Sequence, residues 1–380
     1  MCHCQGVPSV SQAPIRQNSV RAHNLALVLQ TVANSADPIS RASVAGATGL
    51  TRSTVSALVD DLIAGSLLTE VDPAPRTGAG RPAAGLRPAP DGPAGLGLEI
   101  NVDYRAACVV DLTGTLRHRL VEAGDQRQAG ALSALTRLAA LARHRAEADG
   151  LTVAGAALAV PGLVAAGGVV RVAPNLGWQD ITIGTELDGL PLTVDNEANL
   201  AALSELGVGE LPPSFIYVSG EVGIGAGIVL DGSLYRGVRG WSGEIGHIPI
   251  DASGPLCRCG ARGCLEQYAG QEAMLRAAGV TSVAELAGAD LTIAGTALGT
   301  ALSTVVNLLD VDTIVLGGIY APLVARLRDA IDAEIGRRVL TGSPIRLRAA
   351  TFGPDAAMRG AAGAVLQGVL NDPAGWLARS

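Results

Sequence analysis

His247, Cys257, Cys259 and Cys264 follow one another with nine, one and four residues between them. Three thiolates and an imidazole make a complete tetrahedral donor set for zinc and leave no open position for water, so the spacing predicts a structural metal. Gly260 and Gly263 lie inside this knuckle, where the chain must fold tightly around an ion. The bland alternative is three reduced thiols beside an unrelated histidine. Cys2, Cys4 and Cys108 show no framework spacing, which speaks for a metal over disulfides. Cys2, His3 and Cys4 have metal-binding side chains too, but they sit in a stretch, 1–17, that reads as a disordered tail.

Acids flank the knuckle. Glu244 stands three residues before His247 and Glu266 two after Cys264. Carboxylates on loops fixed by a metal are good bidentate acceptors for vicinal hydroxyls, and the histidine nitrogen not taken by the metal can bond the same ligand. Asp195-Asn196-Glu197-Ala198-Asn199 falls where a strand passes into a helix, a junction whose side chains face the cleft of an α/β lobe. Asn196 can donate to and accept from a sugar hydroxyl, and Asn175 is a second amide of this kind; either could equally cap a turn. Together these groups suggest a polyol pocket. Gly223-Ile224-Gly225-Ala226-Gly227 resembles a phosphate-cradling turn but reads equally as a tight hairpin.

These side chains need elements to hold them. From 96 to 371 the pattern runs twice through the same order. Strands at 96–100, 106–111 and 116–121, a helix at 131–148 and a strand at 153–160 come first. A strand ending at Val194 and a helix starting near Glu197 follow. Strands at 215–219, 226–230 and 233–235 open the second half, and helices at 294–309, 322–338 and 355–370 alternate there with strands at 314–316 and 345–349. Such a repeat predicts two α/β lobes, about 96–205 and 213–370, with a cleft between them.

In front of the body, residues 18–90 read as a winged helix-turn-helix. Val20, Asn24, Leu25, Val28, Leu29 and Val32 recur at helical spacing; Ser40 caps a short second helix that stops at Gly49; Thr51 caps a third carrying Val55, Leu58, Val59, Leu62 and Ile63. Thr51, Arg52, Ser53, Thr54 and Ser56 open that third helix with short donors suited to phosphates and base edges in a major groove. A strand at 67–71 and a return through Leu86 bracket a tip with Arg76 and Arg81, apt for a narrow minor groove. Residues 88–95, rich in Pro and Gly, mark the boundary to the body, 91–380.

Composition bounds the rest. With 380 residues, 48% apolar and 17% charged, the chain is neither disordered nor collagen-like. No apolar stretch free of charge and turn signals reads as a membrane span, and nothing reads as a secretory signal, so a cytoplasmic location is expected. All 28 basic residues are Arg, which excludes Schiff-base lysines and Lys-dependent phosphate loops. Residues 1–90 hold seven Arg and five acids, while the remainder holds 21 Arg and 30 acids, a mildly basic head on an acidic body.

Taken together, Gly243-Glu244-Ile245-Gly246-His247 followed by Cys257-Arg258-Cys259-Gly260-Ala261-Arg262-Gly263-Cys264-Leu265-Glu266 resembles the ROK family of sugar kinases and sugar-responsive repressors. The likeness spans about 20–370. It implies an actin-like, ribonuclease-H-like two-lobed α/β fold, zinc on His247, Cys257, Cys259 and Cys264, and sugar contacts from Asn196, Glu244, His247 and Glu266, with Asn175 and Glu197 beside them. The head resembles the repressor branch, and 97–111 with Asn196-Glu197 is closest to its xylose-type members. Two departures argue against kinase chemistry. The family kinases' Asp-x-Gly-Gly-Thr turn is here Glu99-Ile100-Asn101-Val102-Asp103, with bulk and a carboxylate where ATP phosphates would approach. Glu197 replaces the catalytic Asp and would misplace its carboxylate. The expected partners are operator DNA and a small sugar, with the chain acting as a homodimer or tetramer; a sugar kinase carrying a DNA-binding head is the rival.

Overall fold

The computed structural model describes residues 17–72, 84–128, 130–340 and 344–379. Residues 1–16, with Cys2, His3 and Cys4, and residues 73–83, with Arg76 and Arg81, lie outside the described residues. The chain divides into one unit of 1–90 with 368–380 and a second of 91–367.

In the first unit, helices Gln17–Ala33, Arg41–Thr48 and Arg52–Ala64 follow one another. Ser40 caps the second by accepting from Ser43 N, and Gly49 ends it at a φ of 72°. Thr51 caps the third by accepting from Thr54 N, and Val55, Leu58, Val59 and Leu62 form its buried face. A three-stranded antiparallel sheet orders Ile39–Ser40, Gly85–Pro88 and Leu68–Val71, with Glu70 opposite Leu86. Arg41 stitches the pieces: its guanidinium donates to Ser56 O at 3.2 Å, to Asp60 Oδ1 at 2.7 Å and to Glu70 Oε1 at 2.9 Å. The body, read from the sequence as running to 380, loses its last residues to this unit. Trp376 Nε1 donates to Gly65 O at 3.1 Å and Gln30 Nε2 to Asn371 Oδ1 at 2.9 Å, while Leu377 packs so close to Gly65 that a Cβ there would meet its Cδ2 at 2.0 Å.

The second unit holds two sheets of related design. In the first, the antiparallel run Pro93–Ile100, Tyr104–Asp111, Leu116–Ala123 is extended by Thr152–Val160, which returns parallel to Pro93–Ile100 after helix Ala131–Ala148, and then by Leu190–Asn196 and Glu186–Leu187. In the second, Phe215–Gly220 pairs antiparallel with Ile224–Leu230 and parallel with Thr313–Gly318, and Arg346–Ala349 continues the parallel side. Helix Glu197–Val208 and the helix Ala356–Asn371 share a core with strands of both sheets, built from Ala157, Ala159, Leu200, Phe215, Tyr217, Val315 and Ala361. Small side chains let these elements touch: a Cβ on Gly360 would lie 1.7 Å from Leu200 O, and one on Gly97 1.9 Å from Met358 O. That helix, read from the sequence as the end of the second lobe, therefore packs on the first lobe's sheet, where Cys108 Sγ also donates to Met358 O at 3.3 Å.

Two further points depart from the sequence reading. A small antiparallel sheet of Leu163–Ala165, Val169–Ala173 and Trp178–Thr182 stands in a stretch read without strands. Its strands are short and interrupted by Gly167 and Gly168, both at positive φ, so no alternation runs long enough to see. Helix Thr292–Leu309 carries no charge over 18 residues and is long and apolar enough to cross a membrane, contrary to the expectation that no stretch would be. Half of it is buried, with Leu298 and Leu302 packed on Leu327 and Ile331, which explains its composition as that of a core helix.

Candidate functional site

Asn175, Asn196, Glu197, Glu244, His247 and Glu266, scattered over about ninety residues of sequence, line one cavity of the second unit. Each is set there by its element. Asn196 ends strand Leu190–Asn196 and caps helix Glu197–Val208: its Oδ1 accepts from Ala198 N at 2.8 Å and Asn199 N at 3.3 Å. Its Nδ2 donates to Gly162 O and to Glu197 Oε2, both at 3.1 Å. The capping role, weighed as the plainer reading of this residue, is thus real alongside its place on the cavity wall. Asn175 sits in the turn between Val169–Ala173 and Trp178–Thr182, where Arg258 Nη1 donates to its Oδ1 at 3.2 Å. Gly243, at a φ of 99°, lays the Glu244–His247 loop on strand Ile224–Leu230 through an Ala226 N to Gly243 O bond of 2.8 Å.

The knuckle folds back on this loop. Pro249 bridges Cys264 and Leu256 bridges Arg262, with Ile250 N donating to Gly263 O at 2.7 Å. Gly263 has a φ of 63°, and a Cβ there would fall 1.6 Å from Asp251 O, so the turn requires glycine. The ligand atoms of His247, Cys257, Cys259 and Cys264 all lie within 4.8 Å of one another, a group that could hold a metal ion. Cys259 and Cys264 Sγ are 3.7 Å apart, and Cys257 Sγ is 3.8 Å from His247 Nδ1. A regular tetrahedron with metal–sulfur bonds of about 2.3 Å has edges of about 3.8 Å, so the four donors fit such an ion without moving far. With Nδ1 turned to the thiols, Nε2 faces Glu244, whose Oε2 stands 4.0 Å away at the cavity.

Carboxyls dominate the charge here. Loss of surrounding water holds Glu197 well above the usual carboxylate range, reinforced by Glu221, Glu244 and Glu99. Glu244 is also raised by loss of water, an effect opposed by His247 and aided by Glu266. Arg258 is the cationic counterweight on the wall, and Glu272 draws it outward at 3.1 Å. Such a lining of carboxyls and amides exchanges hydrogen bonds with a ligand rich in hydroxyl groups.

In the first unit, the residues read as DNA-contacting open the third helix as expected. Thr51, Arg52 and Ser53 are exposed, Thr54 and Ser56 partly so. Thr51 Oγ1 also lies 3.0 Å from Ser53 Oγ and 2.8 Å from Thr54 Oγ1, so part of the hydroxyl capacity serves the cap.

The ROK family profile matches residues 95–367. The chain belongs to the ROK family. A xylose repressor from Bacillus subtilis is 33% identical over 271 residues, 68% of this chain and 69% of that protein. A glucokinase from Halalkalibacterium halodurans is 32% identical over 257 residues, 57% of this chain and 76% of that protein. Among solved structures, a ROK family transcriptional regulator described as a homologue of the E. coli MLC protein aligns with a TM-score of 0.77 and 25% identity, over 95% of this chain and 98% of its own. A ROK glucokinase from Streptomyces griseus, solved with glucose and AMPPNP, gives 0.62 and 26% over 72% of this chain and 99% of its own.

Against that ROK background, the cavity floor holds Glu221, which the sequence reading did not single out, beside Asn101 of the turn that departs from that of the family kinases. Asn101 Nδ2 donates to Glu221 Oε2, Asn101 Nδ2 also lies 3.3 Å from Tyr104 Oη, and Tyr104 Oη donates to Glu99 Oε1 at 2.5 Å. Asp103, expected to crowd a phosphate chain, is exposed, whereas Val102, expected to add bulk, lines the cavity together with Asn101 and, from the opposite lobe, Glu221. The strand ends at Ile100, so strict alternation stops there: Gly97 and Glu99 share one strand face, and Asp103 falls in the turn that follows. An acid flanked by Gly220 and Gly223 was the available signal for Glu221.

Proposed function

We propose that this ROK protein is a sugar-responsive transcriptional repressor, in which a sugar in the cavity alters operator binding by the N-terminal unit. One observation carries the reading. A single chain joins a carboxylate-lined cavity, backed by a four-donor metal knuckle, to a separate three-helix unit, and a ROK transcriptional regulator aligns over 95% of its length. Asn175, Asn196, Glu197, Glu244, His247 and Glu266 would take the sugar, and zinc on His247, Cys257, Cys259 and Cys264 would hold the loops that present them. Thr51, Arg52, Ser53, Thr54 and Ser56, with Arg76 and Arg81 of the wing, would read DNA. Two heads on a palindromic operator, from a homodimer or tetramer in the cytoplasm, supply the contacts one small head lacks.

The test is direct. Genomic fragments retained by the purified protein should be released by D-xylose or another sugar of a neutral panel, measured by fluorescence anisotropy. Arg52→Ala should lower operator affinity about tenfold or more without changing the thermal shift given by sugar. Retention that no sugar alters would overturn the inducible reading.

The kinase reading has its own support in the glucokinase relative. Against it stand Glu197 at the expected catalytic position and Glu221 with Asn101 on the floor. A coupled ATP assay over a hexose panel should stay below roughly 1 turnover per second, the low end of ordinary enzymes; faster turnover would favour the enzyme.

Gly223 offers a sharper probe of the pocket. A Cβ there would stand 3.0 Å from Glu266 Oε2 and 3.2 Å from Asn175 Nδ2, in the gap between the lobes. Gly223→Val is expected to weaken sugar binding at least about tenfold by calorimetry with little change in melting temperature, since the added methyls enter the cavity and not the core.

A further inference from the structure

The floor hydrogen bond joins the two lobes. Asn101 follows strand Pro93–Ile100 of the six-stranded sheet, and Glu221 follows Phe215–Gly220 of the five-stranded one. Each partner is anchored in its own lobe. Asn101 N donates to Tyr104 O at 2.9 Å, its Oδ1 accepts from Val102 N at 2.7 Å, and Gln126 N donates to Val102 O at 2.9 Å. Glu221 N donates to Gly223 O at 2.8 Å, and Glu221 O accepts from Gln271 N at 3.3 Å. Gln271 opens the helix Gln271–Ala278 directly after the turn Glu266–Ala269, which itself follows Cys264. A short run of main-chain bonds thus leads from Glu266 at the ligand end to Glu221 at the floor.

From this geometry we infer that Asn101 and Glu221 form an interlobe latch, a pair of positioning residues that, with the Arg258–Asn175 and Arg236–Asp195 contacts elsewhere along the cleft, sets the resting closure on which a ligand acts. An amide donating to a part-buried carboxylate is among the stronger side-chain bonds, and it is directional, so it holds one separation and orientation of the two turns. Breaking it frees both turns together, because each turn's other bonds are internal to its lobe. A sugar bridging Glu266 and Asn175 would act on the same closure from the other end of the cavity, and the latch sets how much of that closure exists beforehand. The inference rests on the proposed function only for its consequence; the latch itself is a property of the unliganded chain.

Amide hydrogen exchange on the full-length protein without sugar tests it. In Asn101→Ala, the peptide covering 221–225 should exchange about tenfold faster, and in Glu221→Ala the peptide covering 101–104 should do the same. The double variant should be no faster than either single one, and Glu221→Gln, which keeps an acceptor, should restore most protection. Helix Ala131–Ala148 should be unchanged throughout; if an alanine variant loosens it too, the isosteric Asn101→Asp, which keeps the acceptor for Val102 N but removes the donor to Glu221, should still speed exchange at 221–225 and leave that helix unchanged. Variants that loosen only their own turn, or whose effects add, would overturn the latch. Because no sugar is present, this outcome is separate from whether any sugar releases DNA; with a responsive sugar such as D-xylose in hand, both single variants should lose affinity by the same factor.

Discussion

Replacing Cys259 with Ser, or stripping the knuckle with a chelator, is expected to abolish the sugar response while leaving nonspecific DNA binding largely intact. Cys257 and Cys264 are buried and Cys259 exposed, so a chelator could reach an ion held there from one side. Without a cation three thiols and an imidazole would share a volume less than 5 Å across, and the loop would open. Opening it moves Glu244 and Glu266, which flank the ligands, whereas the helices of the first unit lie in a different compact unit and keep their caps. Metal analysis should find one zinc per chain. Calorimetry of the Ser variant should show melting of the second unit lowered by on the order of 10 °C, the scale of several kcal/mol in a domain of this size. A metal-free protein with unchanged melting and an undiminished sugar shift would refute the role given to the knuckle.

What could be read in advance was what a few residues decide locally. Ser40, Gly49 and Thr51 delimit two helices because caps act through neighbouring amides, and the helix read at 131–148 spans Ala131–Ala148. The knuckle was legible because metal geometry fixes ligand spacing. Less visible was anything set by long-range packing. Helix Ala356–Asn371 carries an amphipathic pattern that says it packs but not on which sheet; glycines at 95 and 97, far away in sequence, receive it. The C-terminal Trp376 gave no sign that Gly65 would be its acceptor. The pair Asn101 and Glu221 is 120 residues apart and becomes a pair only once two lobes face each other. Asn196 was legible as a junction residue, yet its amide serves first as a helix cap.

The stability of the second unit is expected to fall as pH rises from about 5 to about 8, with Glu99 the main cause. Burial pushes its carboxyl up to about 8, Glu221 and Asp355 add to the shift, and the Tyr104 bond opposes it. Glu99 is 2% exposed and accepts from Tyr104 on one oxygen, so little would offset its charge if it ionised. In the unfolded chain the same group ionises near 4.5. The native state therefore holds the proton more tightly, so its advantage is complete below pH 4.5 and is lost progressively up to about 8. The loss is on the order of 3 kcal/mol for a group shifted this far. Glu221, pushed up to about 7 by burial and by Asp103 against the pull of Asn101, acts in the same direction, but it keeps partial contact with solvent and contributes less. Glu99→Gln mimics the protonated acid: its amide can still accept from Tyr104 and never ionises. Thermal melts from pH 5.5 to 8.5 should show this variant matching the parent at the acidic end, exceeding it by several degrees at pH 8, and sloping less between. Glu122→Gln, at an exposed edge, should retain the parent's slope. Equal slopes in Glu99→Gln and the parent would show that Glu99 is ionised in the folded protein, and strand Pro93–Ile100 would then carry a buried negative charge in place of a proton.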